Sequence, residues 1–182
     1  MEKEPSVSII IVTWNNENEI SDCLNSIKQI DYTNFKVIVV DNKSSDETVR
    51  IIKENFPDTD VIENIKNSYF TGGNNIGFDY ALDKHHPDYI LILNPDTIVE
   101  KNLLQALIKV SQQDKKIGAV GPKIIFEGGE NHGKINSASL FYDNFHSAYD
   151  NGFGEEDKGQ FDHTKEVFAV TGTCILFKSQ FI

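Results

Sequence analysis

Two carboxylates stand where apolar runs end. Tyr89-Ile90-Leu91-Ile92-Leu93 is a short run rich in Ile and Leu that reads as a buried strand, and it stops at Asn94-Pro95-Asp96-Thr97. Phe35-Lys36-Val37-Ile38-Val39-Val40 repeats the pattern and ends at Asp41-Asn42. In open α/β sheets, ligands sit outside the carboxyl ends of the strands. A carboxylate placed there can hold a hard divalent cation, which takes oxygen ligands and bridges to phosphate. Two such carboxylates delivered to one rim point to a nucleotide or metal–phosphate site.

Two further segments belong with them. Thr13-Trp14-Asn15-Asn16 follows the first apolar run. It is neither the Gly-x-Gly-x-x-Gly of a dinucleotide site nor the Gly-Lys-Ser/Thr of a P-loop. Asn15 or Asn16 would serve as a helix cap, but a cap does not account for Trp14 at a rim, where an indole packs on a base or a sugar. Gly72-Gly73-Asn74-Asn75-Ile76-Gly77 reads as a Gly-rich turn that opens a helix. It suits a plain turn with Asn capping, or a backbone that approaches a ligand closely with helix amides facing an anion. Gly77 inside that helix costs up to ~1 kcal/mol relative to Ala, which points to close packing.

Each motif has a plainer explanation. In Asp41-Asn42-Lys43-Ser44-Ser45-Asp46, a turn and helix cap explain Ser44 and Asp46. Asp41 sits one step earlier, at the strand tip, where it would accept a hydrogen bond from a pyrimidine N–H. Asn94-Pro95 favours a turn. The four segments together are far less readily explained as turns than any one alone. The histidines form no ligand set: His85-His86 end a helix and read as solvated, and His132, His146 and His163 lack metal-ligand spacing. Glu155-Glu156-Asp157 reads as a solvated acidic loop.

The elements that must position these residues alternate. Val7 to Thr13 reads as a buried strand, and Ile20, Leu24, Ile27 and Ile30 follow helical spacing. After the strand at Val37 to Val40, Ser44 and Glu47 have capping-box spacing ahead of a helix stripe at Val49, Ile52 and Phe56. Val61 to Ile65 is a shorter strand, and Leu103, Leu104, Leu107 and Ile108 mark a helix after Leu93. Strand starts near Phe35, Val61 and Tyr89 are spaced by the length of a βα unit, and such units build a mostly parallel sheet. After Gly121-Pro122 the rhythm changes. Lys123–Phe126, Ser137–Phe141, Glu166–Val170 and Cys174–Phe177 read as strands, and Tyr149 to His163 reads as a long loop.

The 182 residues fit one domain with a sizeable core. The formal charge of −11 argues against a general nucleic-acid binder. An anionic ligand would then need local amides, a helix N-terminus or a metal to offset repulsion. Cys23 and Cys174 read as reduced, buried thiols. The start Met-Glu-Lys-Glu-Pro does not read as a signal peptide, and no apolar run is long enough to span a membrane. The expected location is cytoplasmic, with a contact at the inner face of the cell membrane left open.

The ordered motifs resemble those of glycosyltransferase family 2, whose members have the GT-A, nucleotide-diphospho-sugar transferase fold: a Rossmann-like, mostly parallel sheet flanked by helices. The match is carried by Val-Thr-Trp-Asn-Asn, Ile-Val-Val-Asp-Asn-x-Ser-Ser-Asp, Gly-Gly-Asn-Asn-Ile-Gly, Leu-Asn-Pro-Asp-Thr and the late Val-Thr-Gly-Thr-Cys-Ile-Leu-Phe, from about Val7 to Ile182. The flavour is that of rhamnosyltransferase-type members that build bacterial surface polysaccharides. The resemblance implies a single domain, with residues 1–121 binding the nucleotide-sugar and 122–182 beginning a smaller mixed, acceptor-binding half. It implies that Thr13, Trp14 and Asn15 line the nucleotide pocket and that Asp41 binds the base. Asn74, Asn75 and Gly77 would lie near the ribose and diphosphate. Asp96 would hold Mg²⁺ or Mn²⁺, with Asn94 beside the donor in place of the family's first acid. Thr171 and Gly172 would fall on the acceptor side.

The implied reaction is inverting transfer from dTDP-rhamnose or a UDP-sugar to a glycan or lipid-linked acceptor. The family's catalytic base follows the Thr-Gly strand after a further loop, so it is expected beyond Ile182. This chain alone is then expected to be inactive, and apolar surface near Phe177, Phe181 and Ile182 would favour self-association. Two other readings stay open. A sugar-nucleotide nucleotidyltransferase would need a basic, Gly-rich loop after the first strand, where this chain has the acidic Trp-Asn-Asn-Glu-Asn-Glu. A non-catalytic nucleotide-sugar or glycan-binding module would need no base at all.

Overall fold

The computed structural model describes residues 4–143 and 147–182, so the readings made of residues 1–3 and of His146 lie outside the described residues. The four apolar runs are strands: β1 (Val7–Thr13), β2 (Phe35–Asp41), β3 (Asp60–Glu63) and β4 (Tyr89–Leu93). Between and after them come the helices α1 (Ile20–Ile27), α2 (Thr48–Asn55), α3 (Tyr69–Lys84) and α4 (Leu103–Ser111). The later strands are short: β5 (Ala119–Val120), β6 (Ile124–Ile125), β7 (Ile135–Ser137), β8 (Leu140–Tyr142), β9 (Ala148–Asp150) and β10 (Cys174–Lys178).

The main sheet has the order β3-β2-β1-β4-β10-β5. β1 runs parallel to both β2 and β4, and β3 runs parallel to β2. β10 enters antiparallel between β4 and β5. The sheet therefore takes strands from both sides of residue 121, while the smaller part consists of two antiparallel pairs, β6–β7 and β8–β9. The chain builds outward from β1 to β2 and β3, then returns to place β4 on the other side of β1. That reversal is the switch point at which such sheets open a crevice. It puts the ends of β1 and β4, at Thr13 and Leu93, at one mouth.

The alternation within the strands assigns the faces. Ile9, Ile11, Leu91 and Leu93 pack with Ile20, Leu24, Ile52, Leu104 and Leu107, which covers one face with α1, α2 and α4. Ile10, Ile38, Val40, Ile90 and Ile92 turn to the other face, which α3 covers. Gly73 and Gly77 bring α3 down onto β1. A Cβ on Gly73 would lie 2.5 Å from Val12 Cγ1, and one on Gly77 would lie 2.5 Å from Ile10 Cγ2.

Several local expectations are corrected. Gly72 and Gly73 form no turn; they lie within α3, which starts at Tyr69. In sequence these glycines signal a turn; here Gly73 serves helix–sheet contact. Ser44 and Glu47 make no capping box, because the Ser44 hydroxyl is turned back onto the Asp41 carboxylate. Neither Asn15 nor Asn16 caps α1, whose N-cap is Glu19 without a side-chain bond. The expected strand Ser137–Phe141 is two strands broken between Ser137 and Leu140, and Glu166–Val170 contributes one isolated bridge from Ala169 to Leu140. The expected loop from Tyr149 begins inside β9. His85 is not solvated: its Nε2 lies 2.7 Å from Asp60 Oδ2.

Candidate active site

The carboxyl ends of β1 and β4 open into a cleft of about 560 Å³, within the usual range for small-molecule sites. Val12, Thr13, Trp14 and Asn16 supply the β1 side. Asn94, Pro95 and Asp96 supply the β4 side, and Asn42, Asn67, Tyr69 and Phe70 form the wall toward β2 and α3. Trp14 is 56% exposed, so its indole is presented rather than buried.

The loops are held by side chains that the strand ends provide. Thr13 Oγ1 and the Trp14 amide both donate to Asn16 Oδ1, each at 3.0 Å, which folds the β1–α1 loop back on itself. Asn15, with φ of 55°, turns away from the cleft and receives the Ser45 amide at 2.7 Å. Its own amide donates to Ser44 Oγ at 2.8 Å. Thr48 and Asp46 complete the tie: the Asn16 amide donates to Thr48 Oγ1 at 2.9 Å and the Glu17 amide to Asp46 at 3.1 Å. Burial pushes the Asp46 carboxyl up, but the Thr48 hydroxyl and the surrounding amides outweigh it and hold it below the usual carboxylate range.

Asp41 pairs in register with Thr13 and is 2% exposed. Its carboxylate accepts from the Ser44 amide at 3.0 Å and from the Ser44 hydroxyl, and it stands behind the lining rather than in it. Asn42, next in sequence, is the group that reaches the cleft. Asn74 is buried within α3 and donates to the Phe70 carbonyl at 2.9 Å, while Asn75 is exposed. Gly77 packs on Ile10. Of the expected donor-side residues, Thr13, Trp14, Asn94 and Asp96 thus converge on the cleft; Asn15, Asp41, Asn74, Asn75 and Gly77 support its walls or lie outside it.

The β4 turn is backed by thiols. The Asn94 amide donates to the Thr173 carbonyl at 2.9 Å, and the Cys23 thiol lies 3.7 Å from the Asn94 carbonyl. Burial pushes Cys23 and Cys174 each up to about 12. Thr171 and Thr173 touch through their hydroxyls at 3.3 Å, and Gly172 is close enough to Phe70 that a Cβ would lie 3.3 Å from its Cζ. The Thr171–Gly172 segment therefore flanks the cleft without lining it.

Asp96 is, among the described residues, the one carboxylate in the lining. Among the described residues no group of three or more His, Cys, Asp or Glu is placed to hold a metal by itself. One exposed carboxylate beside an amide oxygen suits an ion that keeps its waters and arrives with a phosphorylated ligand, the habit of Mg²⁺. The acidic trio is engaged elsewhere. Asp157 pairs with Lys123 at 2.6 Å, Glu156 with Lys158 at 3.1 Å, and Glu155 accepts from Gln160 at 3.3 Å.

Asn16, Asn42, Asn67, Tyr69 and Phe70 line the cleft as well, with no donor-site role expected for them from sequence. Asn42 was legible as the polar residue after a strand tip. Tyr69-Phe70, two aromatics that follow the mostly polar stretch 64–68 and open α3, carry a weaker signal.

A family model described as "Glycosyl transferase family 2" matches residues 8–182. A hexosyltransferase of low-salt glycan biosynthesis from Haloferax volcanii, Agl10, is 30% identical over 123 residues, covering 68% of this chain and 38% of its own length. Among solved structures, the mannosyltransferase PcManGT from Pyrobaculum calidifontis, in complex with GDP-Man and Mn²⁺, superposes with a TM-score of 0.56 at 25% identity, covering 69% of this chain and 37% of that one. TarS from S. aureus gives a TM-score of 0.62 over 96% of this chain and 47% of that one; at 19% identity this shows the shared GT-A fold. The matches take in 24% to 38% of the curated relatives' lengths.

Proposed function

The chain belongs to glycosyl transferase family 2, and on that premise we propose that its cleft binds a nucleotide-diphospho-sugar and that the protein passes the sugar, with inversion, to a glycan or lipid-linked acceptor. The observation that carries the donor reading is the cleft itself. It lies at the switch point of the sheet and joins an exposed indole, Trp14, to a lone carboxylate, Asp96. The hexosyltransferase relative supports transfer of a hexose, and the mannosyltransferase complex supports a nucleotide-sugar donor with a divalent ion. A donor of the dTDP-rhamnose or UDP-sugar class is our reading.

In this reading Trp14 packs on the nucleoside, and Thr13 and Asn16 fix the loop that carries it. Asp41, just behind the lining, would recognise a base that reaches past it: Ser44 occupies one acceptor position on each of its oxygens, and a carboxylate has about four. Asp96, with Asn94 beside it, would hold Mg²⁺ or Mn²⁺, which when bound neutralises charge on the leaving diphosphate. Thr171 and Gly172, alongside Phe70, face the acceptor. Because Asp96 is committed to the diphosphate end, the group that deprotonates the acceptor hydroxyl comes from outside the cleft lining. Glu155, Glu156 and Asp157 are tied into local pairs and do not supply it.

A nucleotidyltransferase is disfavoured by the loop after β1. It carries Glu17 and Glu19 and offers no cation to a triphosphate. A thermal-shift screen of UDP-, dTDP-, GDP- and ADP-sugars, with and without Mn²⁺, tests the reading. Stabilisation by one nucleotide-sugar class, enhanced by the metal, is expected. No shift with any of them would remove the donor assignment.

A further inference from the structure

Tyr69 is held in a conformation that tyrosine avoids. Its φ is +58°, in the left-handed region where a bulky side chain is a genuine outlier. Such strain persists only where the surroundings over-determine it, and it gathers at ligand clamps. The surroundings here do so. The Tyr69 amide donates to Asn67 Oδ1 at 2.7 Å, and the Tyr69 carbonyl accepts from Asn42 Nδ2 at 3.1 Å. Asn42, 2% exposed, also accepts from the Ser68 amide at 3.2 Å and from Asn64 Nδ2 at 2.9 Å. A buried amide at the tip of β2 thus pins the backbone just before and at Tyr69.

Among the described residues, the hydrogen bonds at Tyr69 are made by its backbone and none by the side chain so fixed. Tyr69 is 79% exposed, and among the described residues its ring makes no ring–ring contact. Glycine or asparagine would sit at this φ with less strain and give up almost no burial. Tyr69 does, however, line the cleft together with Trp14.

We propose that Tyr69 is a nucleobase-stacking residue of the donor cleft, held in strain by Asn42 so that its ring meets the base. This rests on the donor reading above. Asp96 and Asn94 mark the β4 end of the cleft as the diphosphate end, which leaves the opposite end, walled by Asn42, Asn67 and Tyr69, for the base. A flat, uncharged ring offered to solvent there suits a π-face, and stacking is tolerant of base identity. Tyr69 therefore supplies affinity, and the neighbouring strand tips supply discrimination.

The test uses Tyr69→Asn, which tolerates the left-handed backbone, with Tyr69→Phe as the ring-preserving control. Calorimetry with UDP and uridine is read beside the melting temperature. The expected result is UDP and uridine affinity reduced roughly five- to a hundred-fold in Tyr69→Asn, the range for loss of one stacked aromatic. Tyr69→Phe should bind like the parent, and Tyr69→Asn should melt at the same temperature or higher. Equal affinity in parent and Tyr69→Asn overturns the stacking role while leaving the donor reading intact. A lower melting temperature for Tyr69→Asn overturns the claim that the residue is strained for function. A parent protein that binds no nucleoside diphosphate of any base overturns the donor reading, and this proposal with it.

Discussion

Gly73 of α3 and Val12 of β1 are in contact so close that a single added methyl has no room: its carbon would lie 2.5 Å from Val12 Cγ1 and 3.1 Å from Asn42 Nδ2. Val12 and Asn42 both line the cleft. The glycine therefore sets how near α3 approaches the site.

Gly73→Ala and Gly77→Ala should both destabilise the fold. Overpacking a tight contact costs about 1–3 kcal/mol, and Ala in place of Gly in a helix returns at most about 1 kcal/mol. A net loss of about 1–2 kcal/mol is expected for each by chemical denaturation. The two should differ in binding. Gly73→Ala displaces Val12 and Asn42 and should weaken nucleotide affinity, whereas Gly77→Ala presses on Ile10, behind the cleft, and should leave it unchanged.

The β1–α1 loop should loosen in acid. Asp46, held below its usual range by the Thr48 hydroxyl and nearby amides against the effect of burial, has a lower folded than unfolded value. Its stabilising contribution is then complete above about pH 4, the unfolded value, and is lost as the pH falls through the folded one. The stability difference between the parent and Asp46→Asn, measured in urea, should be largest near neutrality and shrink below about pH 4. A difference independent of pH would show that the Asp46 charge carries none of it.

How far the sequence reveals this protein depends on the range of the signal. β1, β2 and β4 are legible because burial on both faces demands continuous apolar runs. Asp41 and Asp96 are legible as carboxylates at their ends. β5, β8 and β9 are too short to carry a period, and their pairing is set by tertiary contacts. Gly72-Gly73 misleads because glycine marks a turn and a close helix–sheet contact equally well. Asn15 and Asn16 are indistinguishable in sequence, yet one faces Ser45 and the other shapes the cleft. Tyr69 escapes notice because its backbone conformation follows from Asn42, far away in sequence.

The thiols behind Asn94 should be inert. With both raised to about 12 by burial, the thiolate fraction at pH 8 is on the order of 10⁻⁴. The native protein should leave Cys23 and Cys174 unmodified by a thiol reagent at that pH, and both should react once it is unfolded. Reaction of either in the native state at the rate of a free thiol would contradict the packing around the β4 turn.

Asp41 and Asp96 should separate by ligand. Asp41→Ala should weaken uridine or thymidine as well as the diphosphates, because the lost partner is the base. Asp96→Ala should leave the free nucleosides unchanged. Unaltered nucleoside binding in Asp41→Ala would confine Asp41 to holding the Ser44 loop.

In the proposed donor site, Asp96 serves the diphosphate of a bound nucleotide through a divalent ion. The direct measurement is a calorimetric titration of UDP, and of dTDP, into the parent and Asp96→Ala, each with Mn²⁺ and with chelator. The parent should bind at least one of the two more tightly with Mn²⁺ than with chelator, and Asp96→Ala should lose that difference while keeping the weaker, metal-independent binding. Equal metal enhancement in parent and variant, or none in the parent, would contradict it.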